Sequence, residues 1–200
     1  MVEGLFLSAA RRQLRQAFRR RRAALGPGER LEAAAEVARH LGERPELRQP
    51  GHVGGYWAIG GELPLHAVQL RLPPGQVWCL PTVQDDGGLR FAPWRPGDPL
   101  RPNRFGIPEP VLEPASTLAA ADLAWVLVPL LAFDPAGYRL GMGAGYYDRA
   151  FAFRLERSAP PLLIGVGYDW QALEEPLEAE PWDVPLDAVC TQRGFRRFGR

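Results

Sequence analysis

The sequence predicts an α/β fold with a mainly parallel central sheet flanked by helices, and three observations predict it. Leu123–Leu131, LAWVLVPLL, is almost continuously apolar, as a strand buried on both faces at the centre of a parallel sheet must be. Helical stretches alternate with short apolar runs bounded by Pro and Gly, the order of βα units. Size and composition are globular, with 200 residues, 46% hydrophobic and 24% charged. A chain of this size buries roughly 70% of the surface it exposes unfolded, enough for one domain spanning 1–200.

The elements follow in order. Residues 8–25 read as a helix, because Leu14, Phe18 and Leu25 fall on one face with Arg elsewhere. Gly26-Pro27-Gly28 stops it, and an Ala- and Glu-rich helix runs from Glu29 to Leu41. A strand is predicted at His52–Ala58, and Gly60-Gly61 turns the chain into a short helix at Leu63–Leu70. Gln76–Leu80 is an apolar strand ended by Pro81, and Asp85–Pro114 reads as a hairpin followed by a long loop. After the central strand, a helix is expected from Gly145 to Glu156, then strands at Leu162–Val166 and Ala188–Thr191.

Composition removes several chemistries. The 24 basic residues are all Arg, so a Walker P-loop and Lys Schiff-base catalysis are excluded. Any phosphate site must use Arg, backbone N–H groups and metal. The net charge of +1 does not suit a polyanion binder. Cys79 and Cys190 each sit in an apolar run and read as buried free thiols of a reducing compartment. Met1–Leu7 is too short for a signal core and no apolar run approaches a membrane span, so a cytoplasmic protein without a membrane partner is expected. None of the serines lies in GxSxG, and the three histidines lack metal-ligand spacing. The run Arg19–Arg22 occupies consecutive helical positions that fan around the axis, and a solvated face is expected.

The chemistry concentrates in Phe133–Asp148, FDPAGYRLGMGAGYYD. It follows the most buried predicted strand, and ligands of open α/β sheets sit beyond the carboxyl ends of strands. Gly141, Gly143 and Gly145 alternate, which permits positive φ and a nest of N–H groups for an anion. The spacing GxGxG is not the dinucleotide fingerprint GxGxxG, and by itself does not separate a phosphate loop from an ordinary Gly-rich turn. The flanks add weight. Arg139 can fork onto phosphate oxygens. Asp148 can either cap the helix or hold Mg²⁺ together with bound phosphates.

These residues resemble the 5-formyltetrahydrofolate cyclo-ligase family (5,10-methenyltetrahydrofolate synthetase). The likeness rests on Pro129, Ala132-Phe133-Asp134 and the run Arg139-Leu140-Gly141-Met142-Gly143-Ala144-Gly145-Tyr146-Tyr147-Asp148-Arg149. It extends to Arg11-Arg12-Gln13-Leu14-Arg15, Tyr56-Trp57 with Gly61-Glu62, Phe105–Pro110, Gly165–Gln171, and Trp182-Asp183 with Leu186-Asp187. The resemblance implies a Rossmann-like three-layer architecture of the NagB/RpiA/CoA-transferase-like kind. It implies conversion of 5-formyltetrahydrofolate and ATP to 5,10-methenyltetrahydrofolate, ADP and phosphate with Mg²⁺.

By the same resemblance, Arg11, Arg15, Arg139 and the loop from Gly141 through Met142, Gly143, Ala144, Gly145, Tyr146 and Tyr147 contact ATP. Tyr56, Trp57, Glu62, Met142 and Tyr146 contact the folate, and Asp148 and Asp183 bind the metal. Arg139, Glu62 and Tyr147 carry the catalysis. Two positions depart from the family pattern: Arg11 stands where Lys is usual, and Ala144 where many members have Lys. The residues alone leave two other readings open, a sugar-phosphate isomerase-like enzyme and a non-catalytic nucleic-acid binder using the Arg-rich N-terminal helix. A monomer is expected.

Overall fold

The computed structural model describes the backbone of residues 2–199 and the side chains of residues 9–199 other than Pro114. Two helices lead, α1 (Val2–Ala23) and α2 (Pro27–Gly42). Then come β1 (Gly51–Gly54), the one-turn α3 (His66–Gln69), β2 (Gln76–Val83) and β3 (Leu89–Pro93). A small hairpin, β4 (Leu100–Pro102) with β5 (Pro108–Pro110), precedes the central β6 (Leu123–Pro129). A second small hairpin, β7 (Ala132–Phe133) with β8 (Arg139–Leu140), leads into α4 (Tyr146–Ala150). The chain finishes with β9 (Leu162–Val166), β10 (Ala188–Thr191) and β11 (Gly194–Arg197).

One seven-stranded sheet runs in the order β11-β10-β9-β6-β1-β2-β3. The strands β10, β9, β6, β1 and β2 are parallel, and β11 and β3 close the two edges antiparallel. This is the expected mainly parallel α/β sheet. Its strand order reverses between β1 and β6, because the chain steps outward from β1 to β2 and then returns to β6 on the other side. Such a reversal leaves a crevice at the carboxyl ends of the two strands.

Burial explains the order. Val126, Leu127 and Val128 of β6 are almost wholly buried, as are Leu163 and Ile164 of β9 and every residue of β10. On one side α2 covers the sheet with Ala33, Ala34, Val37, Ala38 and Leu41. Beyond the strand ends, α1 lays Leu14 and Phe18 against the cluster of Leu131, Ala132 and Leu140. That contact sets α1 beside the loop that follows β8.

Several predicted boundaries move, each for a physical reason. The strand predicted over His52–Ala58 stops at Gly54, and the chain leaves it through Gly55, where Trp78 packs so closely that only glycine fits. A Cβ on Gly55 would lie 1.9 Å from Trp78 Cζ2. The strand predicted to end at Leu80 instead runs to Val83. Pro81 lies past Cys79, the last residue paired with β1, where the strand tolerates a residue without an N–H. The helix predicted over Gly145–Glu156 is α4 plus a 3₁₀ turn at Ala152–Leu155, broken at Phe151 with φ −108° and ψ 14°.

The solvated face expected of Arg19–Arg22 is corrected at Arg22, which is 3% exposed. Arg154 is likewise buried and paired with both carboxylate oxygens of Asp187 at 2.8 and 2.9 Å, an interior brace that periodicity did not reveal.

Candidate active site

The crevice at the strand reversal is a cleft of about 660 Å³. Three segments make its walls. The chain leaving β1 contributes Tyr56, Trp57 and Glu62, the chain leaving β6 contributes Pro129 and Leu130, and residues 139–149 form the floor of the far end. Arg11, Arg15 and Arg22 of α1 close one side, and Phe105 and Ile107 from the turn between β4 and β5 close the other. A shallower depression of about 310 Å³ lies behind that turn and shares its Asn103 and Glu109 wall.

The β7–β8 hairpin exists because Asp134 is buried and fully employed. Its Oδ1 accepts from Ala136 N and Tyr138 N, and its Oδ2 from Leu177 N at 2.8 Å. Phe133 pairs with Arg139 across this hairpin, so the chain emerges into the cleft at Gly141. Gly143 and Gly145 then take φ of 101° and 68°, a region that favours glycine, while Gly141 does not. The helix that follows has only 5 residues, so its dipole adds less to the loop than a full helix would.

At this end the cations are arranged unequally. Arg15 donates from Nε to Gly141 O at 3.0 Å and lies against Gly143, with no carboxylate partner. Its pKa is lowered, first by burial, then by the charge of Arg11, against the opposing pull of Asp183. Arg15 stays protonated throughout. Arg11 donates to Asp183 Oδ2 at 2.9 Å and to Glu178 O. Arg139 is held on both sides, Nη1 to Val184 O at 2.7 Å and Nη2 to Asp148 Oδ1 at 2.8 Å. Arg139 is thus tied to Asp148 and Val184 in the wall, and Arg15 bonds the loop with no carboxylate within ion-pair distance among the described residues.

The opposite end is acidic and aromatic. Glu62 Oε1 receives Arg22 Nη1 at 3.4 Å, and its Oε2 receives Ile59 N at 3.0 Å. Arg22 also donates to Gly60 O at 3.0 Å and Leu130 O at 3.4 Å, tying both strand-end segments to α1. Burial pushes the Glu62 carboxyl up, and the Arg22 charge opposes that shift. Tyr147 has a buried hydroxyl with no hydrogen-bond partner, and its pKa is raised by burial first and the Glu62 charge second. Tyr56 donates its hydroxyl to Leu63 O at 2.9 Å, so it offers the cleft a ring. Trp57 packs edge-on against Trp94. Met142 and Tyr146 sit at the mouth, where the Tyr146 hydroxyl accepts from Arg104 at 2.7 Å.

Among the described residues no three His, Cys, Asp or Glu side chains gather as a ligand cluster. Asp148 and Asp183 each commit one oxygen to the protein: Asp148 Oδ1 takes Arg139 and Val184 N, and Asp183 Oδ2 takes Arg11 and Glu180 N. Among the described residues, neither second oxygen has a hydrogen-bond partner. Two such carboxylates in a cleft that also holds a glycine loop and arginines fit Mg²⁺, which takes one or two carboxylates plus substrate phosphates.

Every residue expected at the site from sequence lines this one cleft. Sequence reasoning missed Arg22, Arg149 and Trp182, which line it as well. A signal for Arg22 existed: Arg11, Arg15 and Arg22 are spaced by four and seven, which keeps all three on one face of a helix.

A cleft at the reversal of a mainly parallel sheet, with a glycine loop flanked by cations, marks an α/β enzyme. The comparisons make this particular. The family model described as the 5-formyltetrahydrofolate cyclo-ligase family matches residues 7–192. The Haemophilus influenzae 5-formyltetrahydrofolate cyclo-ligase is 34% identical over 179 residues, covering 88% of this chain and 94% of that protein. The Escherichia coli K12 protein of the same name is 34% identical over 177 residues, covering 87% and 96%. The solved structure of Aquifex aeolicus 5,10-methenyltetrahydrofolate synthetase superposes with a TM-score of 0.79 at 32% identity, covering 95% of this chain and 94% of that one. The chain belongs to the 5-formyltetrahydrofolate cyclo-ligase family, and it is an enzyme of the ligase class acting in folate one-carbon metabolism.

Proposed function

We propose that this protein joins ATP hydrolysis to ring closure, converting 5-formyltetrahydrofolate to 5,10-methenyltetrahydrofolate with release of ADP and phosphate. One observation carries the reading: a single cleft has an uncompensated cation on a glycine loop at one end, and a buried acid beside an unpartnered Tyr147 hydroxyl at the other. The first end suits a triphosphate. The second suits a flat heterocycle with N–H donors and a carbonyl.

The chemistry requires both ends in one space. The formyl oxygen on N5 is a poor leaving group until it accepts the γ-phosphoryl group of ATP, when the bond from phosphorus to the ADP oxygen breaks. N10 then attacks the formyl carbon and gives up its proton to solvent, the phosphorylated oxygen leaves as phosphate, and the five-membered ring closes with the advantage of an intramolecular attack. Arg15 and Arg11 would hold the phosphates, assisted by loop N–H groups, and spread the charge of the transferring group. Glu62 would accept from pterin N–H groups, Tyr147 would bond the folate through its spare hydroxyl, and Tyr56 and Trp57 would flank the ring. Arg139 would act through Asp148 by fixing its position. Asp148 and Asp183 would hold Mg²⁺, which when bound would neutralise phosphate charge.

The chain is proposed to work as one domain and a monomer, since both cleft ends come from the same chain. The unpaired thiols Cys79 and Cys190 support a cytoplasmic setting. No helix among the described residues is long and apolar enough to cross a membrane.

The test is direct. Purified protein with 5-formyltetrahydrofolate, MgCl₂ and ATP should accumulate methenyl product, followed by absorbance. An enzyme that forms no product, or forms it equally without ATP, sinks the reading. A sugar-phosphate isomerase would need no ATP. A nucleic-acid binder would leave the Arg11, Arg15 and Arg22 stripe facing solvent, whereas here it faces the cleft.

A further inference from the structure

Five guanidinium groups line the cleft, those of Arg11, Arg15, Arg22, Arg139 and Arg149. Three are matched by acids: Arg11 by Asp183, Arg22 by Glu62 and Arg139 by Asp148. Among the described residues Arg15 and Arg149 are the two with no carboxylate partner, and they touch successive stretches of the glycine loop. Arg15 bonds Gly141 O and lies against Gly143. Arg149 donates Nη1 to Ala144 O at 2.8 Å, and this nitrogen lies 2.9 Å from where a Cβ on Gly145 would stand.

We infer that Arg149 is a second phosphate-binding cation of the nucleotide site, meeting the triphosphate beside Ala144 and Gly145 while Arg15 meets it beside Gly141 and Gly143. The inference rests on the cyclo-ligase reading above and names a residue it did not use. Three features of the geometry support it. The guanidinium is held in place before any ligand arrives, by Ala144 O, by Gly87 O at 3.2 Å and by the face of Tyr146 at 5.0 Å. Holding a long side chain in one pose removes part of the ordering cost of binding. Two carbonyls take two of its five N–H donors, and the remaining donors are available to an anion in the fork geometry that suits phosphate. Arg149 is also exposed and has no carboxylate partner among the described residues, so an anion entering the cleft can reach it. Tyr146 is central, since Arg104 holds its hydroxyl while Arg149 lies over its ring.

The same contacts allow a purely structural role, in which Arg149 braces the loop against the β2–β3 turn at Gly87. The two roles predict different behaviour. Position 144 is exposed and next to the carbonyl that Arg149 holds, so a cation placed there reaches the same anion without restoring the brace. The experiment uses R149A, R149K and the double variant R149A/A144K. It measures steady-state KM for ATP and for 5-formyltetrahydrofolate, and MgATP binding by titration calorimetry. For R149A the expected result is an ATP KM raised about tenfold, the loss of one charge-assisted contact of about 1.4 kcal/mol, with the folate KM within about twofold. R149K should keep part of the affinity and R149A/A144K should recover most of it.

The inference is overturned if R149A binds MgATP as the parent does. It is also overturned if both KM values rise together, or if A144K brings no recovery, because those outcomes belong to a brace. A parent enzyme that binds no MgATP would instead sink the cyclo-ligase reading itself.

Discussion

The two ends of the cleft handle charge in opposite ways. At the Glu62 end, an acid and a cation are both drawn out of water and matched to each other, with side chains 10% and 3% exposed. At the glycine-loop end, Arg15 and Arg149 are left unmatched, and their nearest bonded partners are loop carbonyls. The first arrangement is finished before a ligand arrives and can fix where a ring sits. The second is incomplete, so a bound anion stabilises it. Removing a partner should therefore damage the fold at one end and ligand affinity at the other.

The largest effect should come from breaking the matched end. Arg22→Met leaves Glu62 buried beside an apolar chain, and breaking a buried pair costs about 3–5 kcal/mol. A urea unfolding midpoint should report that loss, and R22M/E62Q should regain more than half of it. If R22M unfolds where the parent does, the pair is not the support described.

Next is Glu62→Gln, which keeps the shape and removes the charge. We expect kcat/KM for the folate to fall about a hundredfold, near 2.7 kcal/mol, with the ATP KM little changed. The parent should also lose folate affinity as pH falls through the Glu62 pKa. Because burial raises that pKa above the ordinary carboxylate value of 4.5, the loss begins at a higher pH than an exposed Glu would give. The raised value means that the folded chain takes up this proton before the unfolded chain does. A profile that stays flat down to pH 4.5, or is unchanged in E62Q, would break the assignment.

Arg15→Ala should raise the ATP KM roughly ten- to thirtyfold, since one charge-assisted contact is worth about 1.5–3 kcal/mol before solvent screening. Its unfolding midpoint should stay within about 0.5 kcal/mol of the parent, the opposite pattern to Arg22→Met. The smallest effect is expected for Arg139→Ala. Losing the brace on Asp148 should raise the Mg²⁺ concentration for half-maximal rate several-fold, read from a metal titration at fixed ATP. A variant whose ATP affinity collapses while its Mg²⁺ requirement stands still would mean that Arg139 meets phosphate directly.

The sequence made much of this visible. β6 was legible because five of its seven residues are buried, on both faces, which leaves no room for polar positions. The glycine loop was legible because it follows that strand. Arg139, Asp148 and Glu62 could be located at the cleft, but not their partners. The Arg139 bond to Val184 O spans 45 residues, and the Arg22 bond to Leu130 O spans 108, so no local pattern encodes either. Arg22 was hidden for a further reason. Consecutive arginines look alike, and which one is buried depends on where α1 docks against the Gly60-Gly61 turn. That docking is close, since a Cβ on Gly61 would lie 2.6 Å from Arg22 O. The β7 and β8 strands have two residues each, below the length at which alternation can be read.

The buried cysteines lend themselves to a different use. Cys79 in β2 and Cys190 in β10 are fully enclosed on opposite sides of β6, and burial raises each thiol pKa to about 12. At neutral pH neither is a thiolate nor within reach of a reagent, so native protein should ignore thiol probes. Labelling can then occur only when a strand opens, and Cys190 also keeps its Sγ against Val37 O of α2. The molecule thus carries two internal clocks, one in each half of the sheet. Site-resolved alkylation rates with and without nucleotide would time the opening of each half separately.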